Sequence, residues 1–440
     1  MQPFQLERDN RNGLSLASEK FSRAFVKILH LSWSDRHGGA ARATSRLNEA
    51  LNQSGIQSGI MSVNGYVDEL GQQRPSSRIE SILARVLARI DQIPLTWYPH
   101  RERTLFSVAR APDLLRRRLS RRSPDLLHLH WVNNGYMKIE TLPKFEKPIV
   151  WTFHDMWPIT GGCHYSNGCQ RYMHSCGNCP QLHSSSPQDL SYNTFMRKKA
   201  AWSKTAINVV TPSRWLADTV LSSEILRHTQ IQTIPNAIDM HTFAPTDKRA
   251  ARSEFGLPTE GTVLFFGALT SDGDKRKGFH FLGPLLNKLA ENSTLQNIHL
   301  AVLGMKEPED RQPLPFPVTY LGVLNDDKII ARAYSSADVL IVPSMEDNLP
   351  NAVMEAASCG VPSVAFKIGG LADLIEHKQS GYLAEPFDVD DLAAGVSFLI
   401  GDPEMALKAG KLARQHVSDH YSYAVVAKQH IELYSKLLAS

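Results

Sequence analysis

The sequence has little cysteine, five residues in 440, which is too few for a disulfide-stapled scaffold. It has no apolar run near the roughly 20 residues that a membrane-spanning helix needs. The longest, around Val339 to Val342, is of strand length. The N-terminal stretch MQPFQLERDNRNGLSLASEK lacks the apolar centre of a secretory signal, so the expectation is a cytoplasmic protein. No short-period repeat is visible, which excludes a solenoid. Charged residues make up only 21% and the net charge is +4, so a disordered polyelectrolyte is excluded. What is present is 42% hydrophobic residues, enough for a sizeable core, in a length that suits two to four domains.

The mild net charge is unevenly placed. Between Arg78 and Arg122 eleven arginines face four acids, a surplus of seven. The same segment contains RIESILARVLARIDQI, in which Ile79, Ile82, Leu83, Val86, Leu87 and Ile90 recur at helical spacing. An amphipathic helix beside a basic cluster suits an anionic membrane surface better than nucleic acid. A solvated helix face, or a stripe buried on the neighbouring sheet, is the plainer alternative.

Periodicity gives the architecture. FVKILHLSW, GIQSGIMSVNG, DLLHLHW, PIVWTFHD and AINVVTPS read as strands with helical or polar segments between them. After IPNAIDMHTFAP the pattern restarts with TVLFFGAL, NIHLAVLG, VTYLGVL, DVLIVPS and PSVAF. Alternating strands and helices imply parallel sheets covered on both faces. The expected fold is α/β, with two doubly wound Rossmann-like domains facing across a cleft. Residues 1–24 are expected to be a flexible extension and 25–240 the N-terminal domain, with a cysteine-rich insert over 160–185. Residues 241–420 form the C-terminal domain, and 421–440 a helix that packs back on the N-terminal one. Ligands in such sheets bind beyond the carboxyl ends of the strands, so the cleft is the natural site.

The segment VPSMEDNLPNAVMEAASCGVPSVAF carries the richest chemistry. Asp347 precedes Glu355 by eight positions, and Asn348, Leu349 and Pro350 fall at a helix N-terminus, where free N–H groups favour anions or hydroxyls. Carboxylates there suit ribose or sugar hydroxyls. With GGLADLI and GYLAEP downstream, the segment resembles the signature of retaining glycosyltransferases of family 4, which have the GT-B fold. The resemblance implies that Glu355 holds the donor ribose, and that Asp347, Asn348, Leu349 and Pro350 hold the donor sugar. The sequence has Asp at 347, with Glu346 one residue out of register. The family's usual Arg and Lys after the first C-domain strand correspond to Arg276, replacing an Arg absent at Ala268, and to Lys277. They would neutralise the leaving diphosphate without a metal ion. His154, at a strand end, matches a family histidine close to the donor sugar. Gly38 and Gly39 open the first helix, where bare backbone can approach donor phosphates or acceptor.

HDMWPITGGCHYSNGCQRYMHSCGNCPQL is similar to bacterial exopolysaccharide glycosyltransferases of the colanic acid type. That resemblance implies a nucleotide-sugar donor, a lipid-linked glycan acceptor and work at the inner face of the cytoplasmic membrane. No covalent nucleophile stands out, and the family expectation is a front-face reaction. An epimerase or phosphorylase of the same fold, and a non-catalytic sugar-nucleotide-binding subunit, remain as alternatives. No cofactor is expected for catalysis. Cys163, Cys169, Cys176 and Cys179, four thiols in 17 residues, suit a structural zinc; a reduced loop or facultative disulfides are the alternatives. Two Asp-x-Asp strings, at Asp272 and Asp388, are read as a polar loop and a helix N-cap. His128 and His130 alternate with leucine and are read as structural.

Overall fold

Short leucine- and valine-rich runs form the strands, and their connections decide which sheet each joins. In the N-terminal half β1 (Lys27–Leu31), β2 (Gln57–Met61), β3 (Gly65–Val67), β4 (Gln73–Pro75), β5 (Leu126–Leu129), β6 (Ile149–Thr152), β7 (Asn208–Thr211) and β8 (Ile231–Thr233) make one sheet. Its order is β4-β3-β2-β1-β5-β6-β7-β8. In the C-terminal half β9 (Thr262–Gly267), β10 (Ile298–Leu303), β11 (Val318–Gly322), β12 (Val339–Val342), β13 (Ser363–Phe366) and β14 (Gly381–Ala384) make a second, ordered β11-β10-β9-β12-β13-β14. This computed structural model describes residues 26–35, 38–120, 122–267, 274–293, 295, 297–307 and 313–439. The extension 1–24, Arg121, Ala268 and Asp272 lie outside the described residues.

The C-terminal sheet is parallel throughout, and β12, β13 and β14 are buried at every position, as a sheet covered on both faces requires. The N-terminal sheet departs from the parallel expectation at one edge, where β2, β3 and β4 are antiparallel. The reading of the sequence also passes over β8 and β14. β3, β4 and β8 are three residues long and β4 is fully exposed, so they carry no hydrophobic alternation to detect.

Both sheets reverse strand order at a central pair, β1 beside β5 and β9 beside β12. The chain crosses between domains twice. The first crossing follows β8. At the second, the helix Pro403–Tyr421 packs Ala413, Val417 and Tyr421 into the C-terminal core. Ser422 interrupts it, and the helix Tyr423–Ala439 then buries Val426, Leu433 and Tyr434 against Leu47, Leu126 and Val150 of the N-terminal domain. The two crossings touch, since Ile238 N–H donates to Tyr421 O at 2.9 Å.

The N-terminal core contains an unusual polar seam. His30 on β1 and His128 on β5 are register partners, with His130 and His154 just beyond β5 and β6. Hydrogen bonds run in series from Ser58 Oγ to His30 (2.9 Å), to His130 (2.8 Å) and to His154 (3.0 Å). His128 pairs with Tyr434 Oη at 2.6 Å and Thr152 Oγ1 at 2.8 Å. His30, His128 and His130 are each satisfied at both nitrogens as neutral imidazoles. Burial pulls His30 down to about 3, and His154 and His430 to about 4. His128 and His130 are likewise held well below the usual range, by burial and by their neighbouring rings.

These rings bind protons in the unfolded chain below about pH 6.5 and in the folded chain only at much lower pH. Stability is therefore complete above 6.5 and falls with pH toward 4, by about 1 kcal/mol per histidine between pH 7.5 and 5.5. Urea unfolding at those two pH values should show that loss. A flat profile would mean that the seam is not buried and neutral.

Candidate active site

The two switch points face each other, and their loops meet. In the C-terminal domain one wall is Lys275–Lys277 after β9, and the other is the loop after β12 that leads into the helix Asn351–Ser358. Two glycines set this geometry. Gly278 sits at φ 73°, and a Cβ there would lie 1.7 Å from Pro343 O, so only glycine lets the Lys277 turn press on the β12 loop. Gly369, at φ 52°, is pressed against Asp347 O in the same way, which explains the GGL turn.

Within that frame Lys277 Nζ donates to Asp347 Oδ2 at 2.6 Å. Arg276 lies 3.6 Å from the same oxygen, donates to Glu346 O at 2.7 Å and to Asp274 Oδ2 at 2.9 Å, and stacks on Tyr165 at 4.1 Å. Burial alone would raise the Asp347 carboxyl, but the Lys277 and Arg276 cations hold it below the usual carboxylate range. The two neighbouring acids thus separate. Asp347 turns inward to the cations, while Glu346 turns to the N-terminal domain and accepts from Ser166 and from Asn167 N–H at 2.9 Å.

Glu355 is buried on the helix Asn351–Ser358 and forms a second cluster. Its Oε1 accepts from Arg46 Nη2 at 2.8 Å, and Tyr334 Oη donates to Oε2 at 3.3 Å. Arg46 also reaches Asp327 at 3.0 Å, and Arg42 lies 3.8 Å from Glu355. Both arginines project from the helix Gly39–Gln53 of the opposite domain. Among the described residues, Nη1 of Arg42 and Nη1 of Arg46 are buried without a hydrogen-bond acceptor.

The remaining expected residues line the same seam. Gly38 caps the helix Gly39–Gln53 at φ 96° with open space beside it, and Gly39 O accepts from Asn351 Nδ2 at 3.2 Å. Asn348 accepts from Ser213 Oγ at 2.6 Å and donates to Phe153 O and His154 O, both at 3.3 Å. Leu349 and Pro350 are buried, and Pro350 is the N-cap of the helix Asn351–Ser358. His154 meets the seam through its backbone, while its ring Nε2 is committed to His130. As a neutral ring, it can share a hydrogen bond with a hydroxyl but does not hold a proton near neutrality. Asp388 caps the helix Val389–Ile400, as its sequence position suggests.

Sequence reading missed Arg42, Arg46, Asp327 and Tyr334. A signal existed in GGAARATSRL: two arginines four apart share a helix face with Ala43 and Leu47, which are buried. Their acceptors are about 300 positions away, so nothing local identifies them.

Two family models match the chain. The one described as Glycosyltransferase Family 4 covers residues 37–242, and the one described as Glycosyl transferases group 1 covers 260–402. The chain is 25% identical over 349 residues to a sulfoquinovosyl transferase of Arabidopsis thaliana, covering 77% of this chain and 61% of that one. It thus spans about three-fifths of that relative's length. Among solved structures it resembles a sucrose-phosphate synthase from Thermosynechococcus elongatus, with a TM-score of 0.66 at 19% identity, covering 94% and 99% of the two chains. It also resembles Anabaena HepE in complex with UDP-glucose, with a TM-score of 0.57 at 18% identity, covering 93% and 99%. At these identities the likeness is one of fold, two Rossmann-like domains of the GT-B type.

Removing one partner of a buried ion pair leaves the other charge uncompensated. Arg46→Met should lower stability by about 3 kcal/mol in urea unfolding. Adding Glu355→Gln should restore much of that loss. Strictly additive losses in the double variant would show that the two side chains are not paired.

Proposed function

We propose, for a chain that belongs to the family 4 glycosyltransferases and has the GT-B fold, that it moves a sugar with retention from a nucleotide-sugar donor to a lipid-linked or oligosaccharide acceptor in polysaccharide synthesis. The observation that carries this reading is that two charged clusters, Lys277 with Asp347 and Glu355 with Arg46 of the opposite domain, lie where the loops of the facing switch points meet. Glu355 is suited to ribose hydroxyls, which it can accept once Arg46 is displaced. Lys277 and Arg276 are suited to the charge that grows on a leaving diphosphate, and the 2.6 Å contact to Asp347 holds the Lys277 side chain in place. The Nη1 atoms of Arg42 and Arg46, buried without a hydrogen bond among the described residues, give a donor two further N–H groups to engage. Gly38 and Gly39 leave room for backbone to approach it. Asp347 and the Asn348–Pro350 backbone face the sugar, with the neutral His154 able to share a hydrogen bond with a sugar hydroxyl. The acceptor hydroxyl enters from the N-terminal side, and closure excludes water from the activated sugar. The UDP-glucose named with the Anabaena structure supports a nucleoside-diphosphate sugar as donor class.

The acceptor's location is read from the surface. The helix Arg78–Gln92 is fixed by a capping box between Ser77 and Glu80, yet its apolar stripe is not covered. Ile79 (78% exposed), Ile82, Val86, Ile90, Ile93 and Trp97 (71%) follow one another at spacings of three or four, all exposed. Arg78, Arg85, Arg89, Arg116 and Arg117 are exposed in the same basic segment. Among the described residues no helix is long and apolar enough to cross a membrane. An apolar row bordered by cations suits peripheral docking on an anionic bilayer, where each cation contributes about 1 kcal/mol. Arg118 and Arg122 do other work: Arg118 donates to Ser62 O at 2.8 Å, and Arg122 stacks on Tyr66 at 3.8 Å.

Transfer should be measured with a panel of UDP-, GDP- and ADP-sugars and a bacterial lipid extract, following nucleoside diphosphate release and glycolipid. Glu355→Gln and Lys277→Ala should each lower the rate about a hundredfold while the circular dichroism spectrum is kept. Donor turnover without a glycosylated product, or wild-type rates in either variant, would overturn the reading. Sedimentation with vesicles containing phosphatidylglycerol should retain the wild type at low salt and release Ile82→Asp/Val86→Asp/Trp97→Ser. Equal retention of both would remove the membrane role from the helix.

A further inference from the structure

The loop between His154 and the helix Leu190–Trp202 has a second feature that glycosyl transfer does not use. Cys163, Cys169, Cys176 and Cys179 line one pocket of about 350 Å³ beside Phe106 and Tyr172, and all four are free thiols. The last two are brought together by a turn in which Cys176, Gly177 and Asn178 all take positive φ, 57°, 87° and 44°. Two of these are not glycine, so the surroundings hold a strained turn in place. A Cβ on Gly177 would lie 2.2 Å from Pro187 O.

Burial pushes the Cys163, Cys176 and Cys179 thiols up, Cys176 to about 12, so as plain thiols they stay protonated.

An independent observation concerns Lys198. Its ammonium is fully buried, donates to Thr160 O at 2.9 Å and to Trp157 O, and lies 3.7 Å from the centre of the Trp157 ring. Among the described residues no carboxylate pairs with it. Burial pulls Lys198 well below the usual lysine range, and a negative charge beside it would oppose that shift. A buried ammonium without a counter-charge is costly, and lysine is rarely kept in such a place.

We propose that Cys163, Cys169, Cys176 and Cys179 bind one zinc ion as a tetrathiolate, with Lys198 as its counter-charge. Binding releases four thiol protons to solvent and changes no oxidation state. The complex carries a net charge of about −2, which Lys198 offsets in part. Zn–S bonds of about 2.3 Å place the sulfurs about 3.8 Å apart. Among the described residues the metal-capable atoms gathered within 4.8 Å of one another are those of His30, His128 and His130, engaged in the histidine seam, and not the cysteine sulfurs, so the proposal requires the cysteine loop to draw inward on binding zinc. Its role is to hold the segment that meets the other domain: His164 bonded to Asp155 at 2.6 Å, Tyr165 on Arg276, and Ser166 and Asn167 on Glu346.

The test uses the full chain purified without chelator. Elemental analysis should find about one zinc per chain, and titration with a mercurial thiol reagent should release it in step with four sulfurs. Lys198→Met should lose zinc to a chelator at least tenfold faster than the wild type. Zinc-free protein after expression in zinc-supplemented medium, or disulfides among these cysteines by non-reducing mass spectrometry, would overturn the proposal. So would full zinc retention in Cys163→Ser/Cys169→Ser. If the variants do not fold, the wild-type metal content and mercurial titration decide alone.

Discussion

The contact on which the domain arrangement depends is the Arg46–Glu355 pair. Both side chains are buried, one on each domain, and the guanidinium is bracketed by Glu355 and Asp327 and stacked 4.8 Å over Phe243. Burying two charges gains little net stability, because desolvation cancels most of the attraction. What such a pair does supply is selectivity. Any other relative placement of the domains leaves two unpaired buried charges, each costing several kcal/mol. The pair therefore specifies closure without making it strongly favourable, which suits a seam that has to open for a substrate. The other contacts across it are of the same kind. Asn348 to Ser213, Asn351 to Gly39, Glu346 to Asn167 and Arg214 to Asp373 are polar and exchangeable with water.

How much of this was legible follows from how local each signal is. The doubly wound halves were readable because β1, β5, β6, β7, β9, β10 and β12 are apolar runs separated by helical periods. β3, β4 and β8 were not, since they are three residues long and find their place only against a neighbouring strand, and β14 was not because its GYLA has glycine and alanine at its ends in place of β-branched residues. In the site, Asp347 to Pro350 and Glu355 were legible because a strand end, a loop and a helix start fall within one short segment. Lys277 was legible through Gly278, whose positive φ is a local demand. Arg42 and Arg46 were not, because a charge on a buried helix face has meaning only with its acceptor in view. His154 was placed at the seam, but its ring partner His130 and its resulting neutrality depend on register between adjacent strands.

The histidine seam bears on how the site handles protons. A chain of rings from His30 to His154 could in principle carry a proton, yet burial keeps every ring neutral near pH 7. The first ring is anchored on Ser58 Oγ, and the last uses its Nε2 toward His130. The seam therefore fixes the orientation of His154 rather than supplying charge. A neutral ring of this kind leaves His154 suited to orienting a hydroxyl rather than to supplying charge in the transfer proposed above.

The cysteine loop and the basic helix lie on opposite sides of the same mechanical problem. The loop places Tyr165 over Arg276 and Ser166 against Glu346, so it grips the wall of the cleft that carries Arg276 and Lys277. The helix Arg78–Gln92 presents the exposed row that suits a bilayer, and it is joined to the loop through Asp91, which accepts from Ala109, Arg110 and Ala111 N–H just beyond the strand bridge between Phe106 and Cys163. A chain path thus runs from the exposed stripe, through Asp91 and the bridge at Cys163, to the residues that touch Glu346 and Arg276. If the stripe docks on a membrane, that path ties the docked surface to the wall of the cleft, and rigidity in the loop decides how firmly. A loop this long, with little regular structure, is held by His164–Asp155, and zinc bound as proposed above would make the closure of the cleft and the chemistry of the cysteines one constraint.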